Sequence, residues 1–443
     1  MSATVLKGGD ILAPDGLKKN WGLRLEGGLI AQAAPAADLT LETGDEIVDT
    51  TGQIVLPGFV NGHNHMYGFL SHGIHAEALV TEFSSFLEYF WWPYVEDRVD
   101  HNLVRLTTNW ACVEMIDSGV TSFVDILEAP QALPGALDLE AEVVRAAGLK
   151  GRLSFEACQR VSRENGELGL EENASFIRCH QNDPQISGLM SVHTLFTCEA
   201  EFLKKAGALA AELAAPFHMH LSESVYEPEW ALKHIGRRPV NIYDDLGLLN
   251  DRVLASQVVQ VTEDELDILA ARKVRAVSMP LSNCEVGGGI APLTEMLARG
   301  LTVGLGTDGY INNFFEVMRG AFLIHKAARR DPQAMPAREV FRLATDLGAR
   351  AAGFEKTGRL EEDWAADLMT LKADTPTPIT GHNVYDQIIL FRNPQDVTGV
   401  WSGGRRLKKG HDLLTIDREK ARADLRQAAG GFWKSEGNHA AIG

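Results

Sequence analysis

An α/β barrel of eight strand–helix units, with a small β module built from both chain ends, is the fold this sequence predicts. Three observations carry it. Short apolar runs alternate with helical stretches about eight times between residues 55 and 350. β-prone runs cut by Gly-Gly and Pro-Asp-Gly occupy both ends of the chain. Histidines and acids stand at the C-terminal ends of the apolar runs, where a barrel gathers its reactive groups.

The first element is "TVLKGGDILAPDGLKKNWGLRLEGGLIAQAAP", a set of short runs broken by turn residues, which reads as β-hairpins. The texture returns in "GRLEEDWAADLMTLKAD", "DQIILFRN" and "DVTGVWSGGRRLKKG". Chain termini often lie close together, so the two modules are expected to pair into one β-sandwich. Between them the apolar runs are "VLPGFVNGHNH", "GVTSFVDIL", "GRLSFEAC", "ISGLMSVHTLF", "APFHMHLSE", "RVLASQVV", "VRAVSMPL" and "LTVGLGTDG". From "GVTSFVDIL" onward, each follows a helical stretch such as "DHNLVRLTTNWACVEMID". That alternation gives a parallel sheet, and at this count a closed (β/α)8 TIM barrel. The expected division is 1–55 for the first sandwich part, 56–357 for the barrel, and 358–443 for the second sandwich part with a C-terminal helical tail.

Bulk properties remove several classes. A formal net charge of −18 opposes nucleic acid and anionic lipid. No window holds the roughly 18–20 unbroken apolar residues of a membrane helix, and "MSATVLKGGDILAPDG" is not patterned as a secretory signal. The five cysteines (112, 158, 179, 198 and 284) are scattered, with no C-x-x-C. Disulfides are not expected, a reducing cytoplasm fits, and each cysteine reads as a small buried apolar residue. No G-x-G-x-x-G follows the first strand and no P-loop is present, and "EVGGGIAPL" reads as a tight turn.

The polar residues at the strand ends carry the chemistry. The first run ends in "NGHNH", and His63 and His65, two apart, point the same way on a strand. The fifth ends in "HMHLSE", with His218, His220 and then Glu223. His218 reads as a hydrogen-bonded core histidine. The last ends in "GLGTDG", placing Asp308 at a strand tip, although Asp308 taken alone could be a helix N-cap. Two histidines from one strand, one from another and an aspartate from a third suit a divalent metal such as Zn²⁺ with a position left for water.

The motifs "PGFVNGHNH", "HMHLSES", "SNCEVGGGIAPL", "GLGTDG" and "GRLEEDWAADLM" resemble the amidohydrolase superfamily, in the branch with cytosine and guanine deaminases and triazine chlorohydrolases. "FWWPYVEDRVD" and "GELGLEENASFIR" are similar to the SsnA-like aminohydrolases. The resemblance implies His63, His65, His220 and Asp308 as ligands of one divalent ion, zinc ahead of iron or manganese. It implies that Asp308 also takes a proton from the attacking water, and that Glu223 shuttles a proton to the ring nitrogen and leaving group. It implies His193 as a substrate contact and a homo-oligomeric assembly. No strand end carries the lysine of binuclear relatives, so one metal is expected.

Two positions depart from the family. Gln257 and Ser278 stand where histidines are usual. Gln257 can donate and accept hydrogen bonds but takes up no proton near neutral pH; it is expected to orient the nucleophile or hold a substrate atom. Trp92, in "FLEYFWWPYVED", either covers a flat ring or packs a helix with Phe90, Trp91 and Tyr94. Arg160 and Arg163 either hold a substrate carboxylate or are solvated loop charges. The function expected is hydrolytic deamination of a small heterocycle by a metal-bound hydroxide. The alternatives are another leaving group (dechlorination, desulfuration or ring opening) and an inactive metal-binding relative.

Overall fold

The computed structural model describes residues 3–73, 80–309 and 312–434, so the last residues of the expected C-terminal tail lie outside the described ones. Eight strands form the central barrel: β1 (Phe59–Asn64), β2 (Val120–Leu127), β3 (Lys150–Ala157), β4 (Met190–Val192), β5 (Phe217–Leu221), β6 (Val253–Gln257), β7 (Arg275–Ser278) and β8 (Thr302–Leu305). Each pairs in parallel with the next. The run read as a single fourth strand is split, and its first part, Ile186–Gly188, adds to β3. β2 is buried along its whole length, as expected of a parallel strand covered on both faces. Three of the intervening helices start at side-chain caps: Asp100, Ser162 and Thr262 accept from backbone N–H groups of the first turn.

The barrel closes between β1 and β8. The N–H groups of Thr307 and Asp308 both donate to the His63 carbonyl, at 3.0 and 3.2 Å. Side chains complete the seam: Asn61 Nδ2 donates to Thr307 Oγ1 at 2.8 Å, Thr307 N–H donates to Asn61 Oδ1 at 3.1 Å, and Thr307 Oγ1 donates to Asn64 Oδ1 at 3.0 Å. Gly306 permits this approach, because a Cβ there would fall 2.7 Å from the His63 carbonyl oxygen.

The chain ends build the expected sandwich. One sheet orders Leu29–Pro35, Trp21–Glu26, Thr4–Lys7 and Glu46–Asp49. The other joins Gly16–Lys18, Asp10–Ala13 and Gln53–Pro57 to Leu368–Lys372, Val397–Ser402, Arg405–Lys409 and Asp412–Leu413. The two ends meet where Gln53–Pro57 runs antiparallel to Leu368–Lys372. Leu6, Ile11, Leu23, Val55, Leu368 and Trp401 fill the space between the sheets. A last helix, Arg418–Lys434, returns to the barrel and lies along the helix His101–Asp117, with Arg418 paired to Asp117.

The cysteine expectation needs one correction. Cys112, Cys158 and Cys198 are buried, but Cys179 and Cys284 are exposed; all are unbridged. Cys179 ends a helix and Cys284 sits on the short helix Pro280–Glu285, so neither has a layer packed over it. "EVGGGIAPL" does form a tight turn, with Gly288 and Gly289 N–H both donating to the Asn283 carbonyl.

The seam yields a test. Thr307→Val keeps the shape but orphans the Asn61 and Asn64 amide groups, and is expected to cost about 1–3 kcal/mol. Denaturant unfolding measures it; an unchanged midpoint would mean that the side-chain seam contributes nothing.

Candidate active site

Parallel strands in a closed barrel all release their C-terminal residues at one mouth. There the Nε2 atoms of His63 and His65 come within 3.2 Å of each other. His65 Nδ1 lies 2.6 Å from the Ile126 carbonyl, which can only accept, so Nδ1 carries the proton and Nε2 presents a lone pair. Burial holds the His63 imidazole well below its ordinary range, so it is neutral. His63, His65 and His220 offer ligand atoms within 4.8 Å of one another. Asp308, just beyond β8, brings Oδ1 to 3.7 Å from His65 Nε2. Converging imidazole nitrogens with a carboxylate at their edge fit a borderline divalent cation such as zinc.

Other side chains hold these donors. Glu156, near the end of β3, places Oε1 2.8 Å from His220 Nδ1 and 4.0 Å from His193 Nε2. Burial works against a charged His220, but Glu156 outweighs it and lifts the imidazole to about 9. The contact with Glu156 turns Nδ1 away and leaves Nε2 facing the cluster, where a bound cation would take the place of its proton. Glu156, His193 and His220 form a second potential donor set. Because it shares His220, Glu156 reads as the carboxylate that orients a ligand imidazole. Gln257 Nε2 donates to Asp308 Oδ2 at 2.6 Å, and the Gly309 N–H donates to Oδ1 at 2.7 Å. The backbone is strained at these strand ends: Ser222, Gln257 and Asp308 have φ of 51°, 72° and 60°. Non-glycine residues in this region are uncommon and cluster at functional sites.

A small cavity lies over the cluster, lined by His65, Glu96, Glu156, His193, His220, Glu223, Ser282 and Asp308. Phe83, Phe86, Leu87 and Trp91 line its apolar side. Burial, with Asp308 beside it, pushes the Glu223 carboxyl up to about 8. Burial also keeps His193 neutral, down to about 3, with Nδ1 2.9 Å from Thr197 Oγ1. His218 is a core histidine, bonded to Ser191 Oγ at 2.8 Å and stacked on His63 at 5.2 Å. Ser278 is buried at the end of β7 with its hydroxyl unpartnered.

Three of the expected substrate contacts are placed as follows. The Gln257 amide N–H donates to Asp308, and Oε1 is left unpartnered. The Arg160 guanidinium is enclosed by Glu96, Asp97 and Glu128 at 3.2, 2.8 and 2.6 Å. Trp92 is not part of the cavity lining; it lies 4.9 Å from the Arg160 guanidinium, and its neighbour Trp91 takes the lining position. Arg163 is an exposed partner of Glu199.

Sequence reasoning missed Glu156, although a lone acid in the apolar run "LSFEAC" is a readable signal. It also missed the paired carboxyls Asp125 and Glu140. Asp125 Oδ1 accepts from the Met66 N–H at 2.9 Å, immediately after His65. Burial pushes Asp125 up to about 6, and burial followed by the charge of Asp125 drives Glu140 well above its ordinary range.

The model of the amidohydrolase family matches residues 54–407. A 5'-deoxyadenosine deaminase of Methanosarcina acetivorans is 32% identical over 97% of this chain and 98% of its own length. A 5-methylthioadenosine/S-adenosylhomocysteine deaminase of Pelotomaculum thermopropionicum is 31% identical over 97% and 98%. Among solved structures, an adenosine deaminase from Xanthomonas campestris with bound zinc superposes with a TM-score of 0.89 at 24% identity, covering 98% of this chain and 99% of its own. The atrazine chlorohydrolase TrzN of Arthrobacter aurescens, complexed with zinc, gives 0.82 at 20% identity, covering 96% and 100%.

The carboxyl pair predicts a pH effect. Both groups hold protons in the fold that they release in the unfolded chain. Their stabilisation is therefore complete below about pH 4, the unfolded carboxyl range. It is lost as pH rises through about 6, the folded Asp125 value. Glu140→Gln keeps a hydrogen-bonding partner without a proton to lose. Thermal melts from pH 4 to 8 should fall less steeply for it than for wild type; parallel curves would remove the pair from the pH response.

Proposed function

The chain belongs to the amidohydrolase family, and from that premise we propose how its residues perform the reaction. It is a hydrolase of carbon–nitrogen bonds in small heterocycles, working by metal-dependent hydrolytic deamination. The observation that carries the residue-level reading is the convergence of His63, His65, His220 and Asp308 beneath a cavity that also holds Glu223. These four residues would hold one divalent ion, with zinc the first choice. When bound, the ion supplies the Lewis acidity that makes water nucleophilic near neutral pH.

The remaining work belongs to side chains. Asp308 takes the proton released by the attacking water. Its Oδ2 is held by Gln257 and its Oδ1 by Gly309, so the carboxylate cannot swing away. Glu223 delivers a proton to the ring nitrogen next to the carbon under attack, which raises that carbon's electrophilicity, then takes the proton of the newly added hydroxyl and passes it to the departing amine; the proton held by Asp308 restores the Glu223 acid for the next turnover. An elevated Glu223 matches this role, because the acid form is present at neutral pH. Glu156 keeps His220 in register, and His193 lines the wall where the heterocycle sits. Phe83, Phe86 and Trp91 supply an apolar face for a flat ring and exclude water.

Gln257 supports an active enzyme over an inactive relative. A lost histidine would leave Asp308 Oδ2 without a side-chain partner, whereas the glutamine supplies one. The relatives named as deaminases of 5'-deoxyadenosine and 5-methylthioadenosine make aminopurine nucleosides the first substrates to try. The same reading takes the chain as a homo-oligomer in a reducing cytoplasm, supported for the compartment by its unbridged cysteines.

Ammonia release from a panel of aminopurine and aminopyrimidine compounds tests the activity. Release of chloride or sulfide, with no ammonia, would replace deamination by another hydrolysis. Metal analysis should find about one divalent ion per chain. His65→Ala and Asp308→Ala should lose it or all turnover, while His234→Ala and His411→Ala should keep both. Full metal and activity in the first two would mean that the centre lies elsewhere. Glu223→Gln should retain fold and metal but lose at least about 10² in kcat, because an amide passes no proton. A near-normal kcat would take Glu223 out of the proton path.

A further inference from the structure

Two short segments stand beside the cavity. One is the 3-10 helix Met66–Ser71, which starts directly after the lining residue His65 and whose Tyr67 hydroxyl donates to Glu96, another lining residue, at 2.9 Å. The carbonyls at the C-terminal end of such a helix have no partner within it. The other is the π-helical turn Leu87–Trp91, whose Leu87 and Trp91 line the cavity. π-turns are rare and weakly bonded, and they recur at functional sites.

Both segments touch the end of the helix Arg418–Lys434. Trp433 Nε1 donates to the Leu70 carbonyl at 2.7 Å. The same indole stacks on Phe90, with centroids 6.3 Å apart and planes within 15°. One residue earlier, the Phe432 carbonyl accepts from the Arg98 guanidinium, which lies 4.2 Å over the Phe432 ring. Arg98 follows the π-turn segment on the same stretch of chain. One ring therefore bonds the segment that follows a ligand histidine and stacks on the segment that roofs the cavity.

We infer that Trp433, assisted by Phe432, is a positioning residue that braces the cavity roof against the segment that follows His65. It touches neither substrate nor metal. Its effect is on how well the roof is formed before a substrate arrives, so it acts on binding rather than on the chemical step. The inference rests on the reading of the His63–His65 cluster as the active centre, but its primary test needs no substrate.

Hydrogen–deuterium exchange on the full chain separates the two contacts. In Trp433→Ala, amides of residues 66–71 and 87–91 should exchange at least about tenfold faster, while strands β2 to β4 keep wild-type protection. Trp433→Phe keeps the stack on Phe90 but loses the N–H, so only residues 66–71 should loosen. If only the helix Arg418–Lys434 loosens, or if the barrel strands loosen as well, the bracing role is overturned. On any heterocyclic amine that is turned over, Trp433→Ala should raise KM at least about fivefold with kcat nearly unchanged. A fall in kcat at constant KM would also overturn the proposal. Absence of turnover on every amine would count against the deaminase reading alone, since exchange still decides the brace.

Discussion

Closure of the barrel between its first and last strands is the constraint on which everything else depends. His63 and His65 end the first strand and Asp308 follows the last. They can share a cation only if β8 docks on β1 in one register. Two backbone bonds onto the His63 carbonyl and the Asn61–Thr307–Asn64 side-chain seam set that register. Gly306 lets the strands come close enough. A slip of one residue would turn Asp308 away from the histidines, because strand side chains alternate between faces.

Around the closed barrel, buried polar groups are spent on holding other polar groups. Glu156 faces His220, the Ile126 carbonyl takes the His65 proton, Gln257 and Gly309 hold Asp308, and Asp125 anchors the backbone after His65. Buried carboxylates and strained φ angles oppose stability, so their concentration at one mouth marks where the fold has been bent toward chemistry. The Arg160 cluster is the counterexample within the same mouth. A cation there looks like a ligand for an anionic substrate, yet Glu96, Asp97 and Glu128 already enclose it, and it serves to tie three loops together.

The roof is where local sequence says least. "FLEYFWWPYVED" has aromatic residues on every side of its helical turns. Which of them meets the cavity depends on a π-turn that shifts the register after Leu87. Trp91 turns inward as a result, and Trp92 packs on Arg160 and near His193. The roof is also tied to Trp433, which lies near the end of the described chain.

The sequence alone determined the alternation of strands and helices, the β character of both ends and the candidate ligand set. These follow from periodicity, turn chemistry and residue type, all of which act over a few positions. Tertiary structure alone decided that Glu156 orients His220, that the Gln257 N–H is given to Asp308, that Arg160 is enclosed, and that Trp91 rather than Trp92 lines the cavity. Each of these is a choice of partner between strands or loops distant in sequence, 363 residues apart for Trp433 and Leu70. Such choices follow from how the barrel closes and which rings then fit. No short-range pattern encodes them, because a buried donor bonds whichever acceptor the closed fold brings within reach.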